Sequence, residues 1–416
     1  MRIIEVKVTP IAVPDLPLVN TKGVHQQVFL RSVIELVTDT GLVGLGETYG
    51  AARTLSGLEK VAPALDGLDP YDLRALRARI DTALPDAGGI NAPTALADHK
   101  LTDVVFSAFE MACLDLRGKE VNRPLYDLLG GAVRKNISFS AYLFFKFPNL
   151  PNAISEDMFG EVMTPDAMVE QARALVGEYG FQSLKLKGGV LEPDLEVETM
   201  LKLREAFPHH PLRIDPMGAW SVPTAVRMAR ELDGVLEYLE DPVRGLDAMA
   251  ELSAQIDMPL ATNLVVVEFE HLVEAIRKDA VQIILSDLHY WRGTTGAVRL
   301  GEFCAAAGLG VSMHSNSHLG ISLAAMRHVA AATPNLTYDS DTHYPWYDRE
   351  IVKGGRPHFV DGKLRVPEGP GLGVELDRAA MADLHKLYKD MMVKDRDDTD
   401  EMLKYVPEYE RIVPRW

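Results

Sequence analysis

At 416 residues, 47% apolar and 25% charged, the chain has an ordinary globular composition and room for a barrel of roughly 250 residues plus a second domain. Its formal charge of −17 argues against nucleic acid and anionic membranes as partners, and no apolar run approaches the roughly 18 residues of a membrane span. Met1 runs directly into strand-like residues and Cys113 and Cys304 read as packed thiols, so a cytoplasmic protein is expected, in which an anionic ligand needs a metal or local cations to overcome the overall field.

Residues 1–50 alternate with period two through Ile3–Val8 and Val28–Val37, then meet a Thr38-Asp39-Thr40-Gly41 turn and Leu42–Glu47. This pattern predicts a three-stranded antiparallel meander. Helical patterns follow, including Leu101 to Gly118, where Val105, Ala108, Phe109, Ala112 and Leu116 mark one apolar face. Residues 1–130 therefore read as an α+β domain.

From about Asn136 short apolar runs alternate with amphipathic helices. The runs are Ile137–Tyr142, Ser183–Lys187, Leu212–Asp215, Leu236–Glu240, Pro259–Asn263, Gln282–Asp287, Leu309–His314 and Leu336–Asp341. Eight strand–helix units in one direction predict a closed parallel barrel over residues 131–350. No Gly-x-Gly-x-x-Gly turn follows the early strands, which disfavours an open doubly wound sheet. One connecting helix opens at Thr164-Pro165-Asp166 and closes at Gly180. Residues 145–161, rich in Pro and Asn without a period, read as an active-site loop. Within 351–416 an Asp361-Gly362 hairpin signal points back toward the first domain, and the charged stretch after Asp390 has the composition of a loose end. The expected class is α/β: a (β/α) TIM-type barrel with an α+β N-terminal capping domain, completed by the C-terminal segment.

Lys187, Asp215, Glu240, Asn263, Asp287 and His314 each end an apolar run, at successive spacings of 28, 25, 23, 24 and 27 residues. One βα unit per step places all six on neighbouring strands at the C-terminal rim, where barrel active sites form. Asp215, Glu240 and Asn263 are an all-oxygen donor set that suits Mg²⁺, and the absence of His or Cys among them argues against zinc. Lys185 and Lys187, two apart on a strand, point to the same face, so their mutual repulsion is expected to lower one ammonium toward neutral pH. Asp287 is expected to fix the tautomer of His314 and raise its basicity. A base on each face of a metal-bound carboxylate is the equipment for removing an α-proton, and loss of a β-hydroxyl from the enediolate would then be dehydration.

These residues carry a resemblance. Tyr142-Leu143-Phe144-Phe145, Lys185-Leu186-Lys187-Gly188-Gly189-Val190, Asp215-Pro216 followed by Gly218-Ala219-Trp220, Glu240-Asp241-Pro242, Ala261-Thr262-Asn263, His314-Ser315-Asn316 with His318, and Asp341-Thr342-His343 resemble motifs of the enolase superfamily, and within it of the glucarate dehydratase family. The resemblance spans nearly the whole chain, and Asn263 as third metal ligand is its most specific element. It implies Lys187 and His314 as the two bases with Asp287 in support and Lys185 beside them, Mg²⁺ on Asp215, Glu240 and Asn263, and a small acid sugar as substrate. It further implies substrate contacts from His25, Thr94, Tyr142, Asn316 and Arg396, the last as a guanidinium fork for a distal carboxylate. A homo-oligomer is also expected. Four positions depart from the family pattern: Met217 stands for Asn, Leu288 for Pro and Ser317 for Asn, while Arg244 adds a charge near the rim. Dehydration of a C6 aldarate, D-glucarate first, leads. Epimerisation of an acid sugar and a silent sugar-acid binder are the alternatives.

Overall fold

The structure, a computed structural model, describes residues 1–85, 100–151, 153–392 and 394–416. Strand Ile3–Pro14 pairs antiparallel with Val28–Thr38, and that strand pairs with Val43–Tyr49, so the meander forms as expected. Both faces of this sheet are covered. Ile34 and Leu36 pack with Val105, Phe109 and Leu116 of helix Leu101–Glu120, whereas Val33 and Phe29 join the cluster that continues into the barrel. Period-two alternation thus divides one strand between two cores.

The barrel strands are Ala141–Phe144, Leu184–Lys187, Leu212–Asp215, Tyr238–Glu240, Leu260–Thr262, Ile283–Ser286 and Gly310–Met313, each hydrogen-bonded in parallel to the next. The eighth run, Leu336–Asp341, closes the ring through single bridges, Leu336 to Val311 and Ser340 to Phe139. Side chains replace part of its ladder: Ser312 Oγ and an Arg213 Nη donate to the Asp339 carbonyl at 2.9 and 2.7 Å. The first run needs correcting. Its barrel strand begins at Ala141, while Asn136–Ser138 pairs antiparallel with Lys363–Arg365. The Asp361-Gly362 turn, left-handed at both residues, therefore returns to the start of the barrel and not to the capping sheet.

Helix Pro165–Tyr179 starts where the Thr164 hydroxyl accepts from the Ala167 amide at 3.3 Å and stops at Gly180, which takes φ 70°. Helix Arg378–Asp390 lies on the first strand, with His385 Nδ1 2.7 Å from the Pro10 carbonyl oxygen and Arg378 paired to Glu35. Cys113 and Cys304 are free and buried, and burial pushes both thiols up to about 12. Among the described residues no helix is long and apolar enough to cross a membrane.

Candidate active site

Lys187 and Asp215 are register partners on adjacent strands, and Lys187 Nζ donates to Asp215 Oδ2 at 2.6 Å. Two residues earlier on the same face, Lys185 is fully buried, with Nζ 2.6 Å from both Asp341 Oδ2 and Glu240 Oε2 and 4.0 Å from Asp215. The Tyr142 ring lies 4.8 Å from that ammonium, and its hydroxyl reaches Asp215 Oδ2 at 3.5 Å. Burial alone lowers an ammonium's pKa, but the Asp215 carboxylate outweighs it and holds Lys187 above the ordinary lysine value. Lys185 thus acts in the foreseen direction but is weaker than the adjacent Asp215 carboxylate, the group that a bound cation would draw away from Lys187. Lys185 itself sits below the cavity, clamped by two acids.

Glu240 ends the next strand fully buried, and neither of its oxygens receives a hydrogen bond of good geometry, although Lys185 lies close to one. Burial holds its carboxyl well above the usual range, with Asp215 and Asp341 adding to the rise against Lys185. Asn263 follows strand Leu260–Thr262, and its side chain lines the cavity beside Lys187 and His314. Its position comes from Asp241, whose carboxylate accepts from the Asn263 and Leu264 amides at 2.8 and 3.0 Å and from Thr262 Oγ1 at 2.5 Å. Burial, then Asp215, push the Asp241 carboxyl to about 7. Under-bonded buried carboxylate oxygens next to an amide, all hard oxygen donors on three neighbouring strands, fit a divalent cation such as Mg²⁺.

Across the barrel, Asp287 and His314 follow the strands Ile283–Ser286 and Gly310–Met313. His314 Nδ1 lies 2.9 Å from Asp287 Oδ2, which leaves Nε2 for the cavity. The other Asp287 oxygen is 2.9 Å from His289 Nδ1 and accepts the His289 amide at 2.8 Å. Burial raises the Asp287 carboxyl, but the two imidazoles outweigh it and hold the group well below its ordinary value. Behind His289 stands the capping domain. Arg31 brings an Nη within 3.2 Å of His289 Nε2 and pairs through Nε with Glu47 at 2.7 Å, and Glu47 accepts the amides of Leu319 and Ser322. Asp287, His289 and His318 cluster tightly enough for a metal, but a guanidinium at that distance disfavours a cation there.

Lys187, His314, Asn263, His25, Tyr142, Asn316 and Arg396 line one cavity of about 830 Å³ between barrel, capping domain and tail. His25 is oriented by Asp15, 3.1 Å from its Nδ1. Thr94 lies outside the described residues. Two expectations change. Arg396 is not a free fork: its Nε and one Nη donate to Asp398, the latter at 2.9 Å. Among the described residues none of 145–161 lines the cavity, and buried Lys146 ties the segment to itself through Asp157 and the Gly160 carbonyl. What that segment does reach is the Asp15 carbonyl, through Ser155 Oγ at 2.8 Å.

Residues 3–130 match the model of the mandelate racemase/muconate lactonizing enzyme N-terminal domain, and residues 167–380 match the enolase C-terminal domain-like model. The chain belongs to the enolase superfamily. It is 46% identical to a "probable glucarate dehydratase" of Streptomyces coelicolor over 100% of this chain and 99% of that protein. By that full-length likeness it is an enzyme of the glucarate dehydratase-like, hydro-lyase kind. An enolase-superfamily structure from Thermobispora bispora, complexed with magnesium and formate, superposes with a TM-score of 0.96 at 48% identity, covering 100% of both chains. Another from Pseudomonas fluorescens, with bound magnesium, potassium and tartrate, gives 0.96 at 46% identity, covering 100% of this chain and 99% of that one.

Several residues of the site have no role assigned from the sequence: Asp341 and Asp241 enter it only inside motifs, and His289, Arg31 and Glu47 not at all. Asp341, the partner of Lys185, ends the eighth run just as the six foreseen residues end theirs, so the same rule applies to it. His289 sits two residues after Asp287, and Asp241 directly after Glu240. Arg31 and Glu47 carry no such signal, because the capping domain meets the barrel only in three dimensions.

Proposed function

We propose that this enolase-superfamily member is a Mg²⁺-dependent dehydratase of an acid sugar, D-glucarate to 5-keto-4-deoxy-D-glucarate first. The observation that supports the reading best is that Lys187 and His314 open into one cavity from strands second and seventh in the sheet order, with the oxygen donors Asp215, Glu240 and Asn263 between them. Those three side chains would hold the cation, which when bound would offset negative charge developing on the substrate carboxylate. The chain's own groups handle the protons. A base at Lys187 Nζ or His314 Nε2 takes the α-proton, and the freed electron pair forms the carbon–carbon double bond as the β-hydroxyl departs. A protonated partner supplies the proton that makes this group water, and the enol left behind tautomerises to the ketone. Asp287 holds His314 in one tautomer, while Asp341 and Glu240 fix Lys185 beneath Lys187.

Turnover of a panel of mono- and diacid sugars with Mg²⁺ tests this reading. Lys187→Ala and His314→Ala should each lose roughly 10²- to 10⁴-fold in kcat while substrate binding changes far less. Solvent deuterium incorporation without water loss would replace dehydration by epimerisation. Neither exchange nor turnover on any acid sugar would sink the enzymatic reading.

A further inference from the structure

Two side chains of the capping sheet reach behind the pair formed by His314 and Asp287. Arg31 on strand Val28–Thr38 and Glu47 on strand Val43–Tyr49 are both buried and joined at 2.7 Å. Glu47 also accepts the Leu319 and Ser322 amides, at 3.0 and 2.8 Å, where helix Gly320–Ala332 begins after the His314 strand. Arg31 directs one Nη at His289 Nε2, 3.2 Å away, and at Ser322 Oγ, 3.0 Å away. His289 is fully buried, and its Nδ1 lies 2.9 Å from Asp287 Oδ1.

The proton positions follow from what each group can do. A guanidinium donates and never accepts, so the His289 nitrogen that faces Arg31 is the one without a proton. Ser322 Oγ, which accepts from the same Nη, stands 3.1 Å from that nitrogen as a second donor. The imidazole proton is then on Nδ1 and is donated to Asp287. One Asp287 oxygen thus takes the amide and the ring N–H of His289, while the other takes His314 Nδ1 at 2.9 Å and the Tyr49 hydroxyl at 3.4 Å.

We propose that Arg31 and His289 are positioning residues for the base His314: Arg31 fixes His289 in the tautomer that donates to Asp287, and this keeps Asp287 oriented and ionised beneath His314. The inference rests on the reading of His314 as a base and goes beyond it, since it makes the capping domain part of that base. The anionic form of the Asp287–His314 pair gains more from the His289 N–H than the protonated form does. Losing that donor therefore raises the pH at which the pair takes up a proton. Other groups facing the pair hold one charge state through the neutral range. Burial, then Asp287, keep Tyr49 and Tyr290 well above the ordinary tyrosine value, and burial keeps His318 and His343 well below the ordinary histidine value. Arg31 and Glu47 offset each other in charge.

The test uses the full-length Mg²⁺-loaded enzyme and two readouts. ¹⁵N-histidine NMR, with the rings identified through His289→Phe and His314→Ala, reads the tautomers: His289 should carry its proton on Nδ1. The pH profile of kcat/KM is recorded for D-glucarate and its C5 epimer L-idarate, which present the C5 hydrogen from opposite faces. For the epimer that uses His314 as base, His289→Phe should move the acid limb up by about one pH unit and keep the plateau. That is a roughly 10-fold loss on the acid side alone, whereas a packing fault would lower the plateau and leave the limb in place. His289→Asn, whose amide nitrogen takes the place of Nδ1, should keep the limb near its wild-type position. Replacing the buried ion pair together, Arg31→Gln with Glu47→Gln, should remove the Nδ1–H tautomer and shift the limb as His289→Phe does. It should add nothing in a His289→Phe background.

A wild-type His289 with its proton on Nε2 overturns the proposal. So does a limb unmoved in His289→Phe, or moved equally in His289→Asn, or a shift from the ion-pair variant that adds in full to that of His289→Phe. If His289→Phe does not fold, the ion-pair variant decides by the same two readouts. If the wild type turns over no acid sugar, the dehydratase reading fails separately, and the His289 tautomer with and without Arg31 decides this one.

Discussion

Met217 and Gly218 adopt consecutive left-handed backbones, φ 52° and 72°, immediately after Asp215-Pro216. The turn aims the Met217 amide at Asp215 Oδ1, 2.9 Å away, and so orients a carboxylate at the centre of the site. An unbranched apolar residue pays for that conformation roughly 1–2 kcal/mol, which Asn tolerates far better. Met217→Asn should therefore raise stability by about 0.5–1 kcal/mol in urea unfolding. It also exchanges a thioether on the cavity wall for an amide, and is expected to shift kcat/KM toward more heavily hydroxylated acid sugars. A lower unfolding midpoint would show that the methionine is retained for packing. Identity at this position was plain from the sequence as a departure, but its backbone strain was not, since a left-handed φ at a non-glycine residue leaves no periodic signature.

Glu196 shows how a helix supports the neighbouring strand end. It lies in the first turn of helix Pro193–Ala206 and accepts the amides of Gly189, Val190 and Leu191 at 2.8 to 3.0 Å, fixing the loop that follows Lys187. Burial pushes its carboxyl to about 7 against these hydrogen bonds. In the unfolded chain the group ionises near its ordinary value of about 4.5, so between pH 4.5 and 7 the native state binds more protons. Its contribution is thus fully present below pH 4.5 and lost as pH rises to 7, on the order of 3 kcal/mol in total. Glu196→Gln should remove that slope, so the stability gap between variant and wild type should shift in the variant's favour from pH 4.5 to pH 8. An equal gap at both values would mean that Glu196 is ionised throughout. At this scale the six strand-end residues were legible because one βα unit per step is a local regularity. The interdomain relay from Glu47 through Arg31 to His289 was not, because nothing in the spacing of residues 31, 47 and 289 reports that the capping sheet docks behind the His314 strand.

Over the whole molecule, 60 acidic side chains outnumber 43 Lys and Arg, yet among the described residues seven Lys and Arg against three Asp and Glu line the cavity. The tail does much to create this inversion. It supplies Arg396 and Arg411, and its last residues lie along the loop after Asp215: the Arg415 and Trp416 amides donate to the Ala219 carbonyl at 2.8 and 3.1 Å, and the Ser221 amide donates to the Trp416 carbonyl at 2.6 Å. A charged stretch that reads as a loose end by composition is thus held by backbone pairing, which composition does not encode. Little of it enters the core: Met402 is buried, while Tyr405, Tyr409 and Trp416 only pack against the outside. Removing residues 396–416 should therefore leave the far-ultraviolet circular dichroism and a cooperative unfolding transition in place, with a modestly lower midpoint. Lys187, His314, Asp215, Glu240 and Asn263 all remain in such a protein. Turnover of an acid sugar should nonetheless fall by roughly 10²-fold or more, because the cavity loses the wall that Arg396 and Arg411 supply and the pairing over the loop next to Asp215. Full kcat/KM in the truncated enzyme would place substrate orientation entirely within the barrel and the capping domain. Loss of cooperative unfolding would instead make the tail a part of the folding unit.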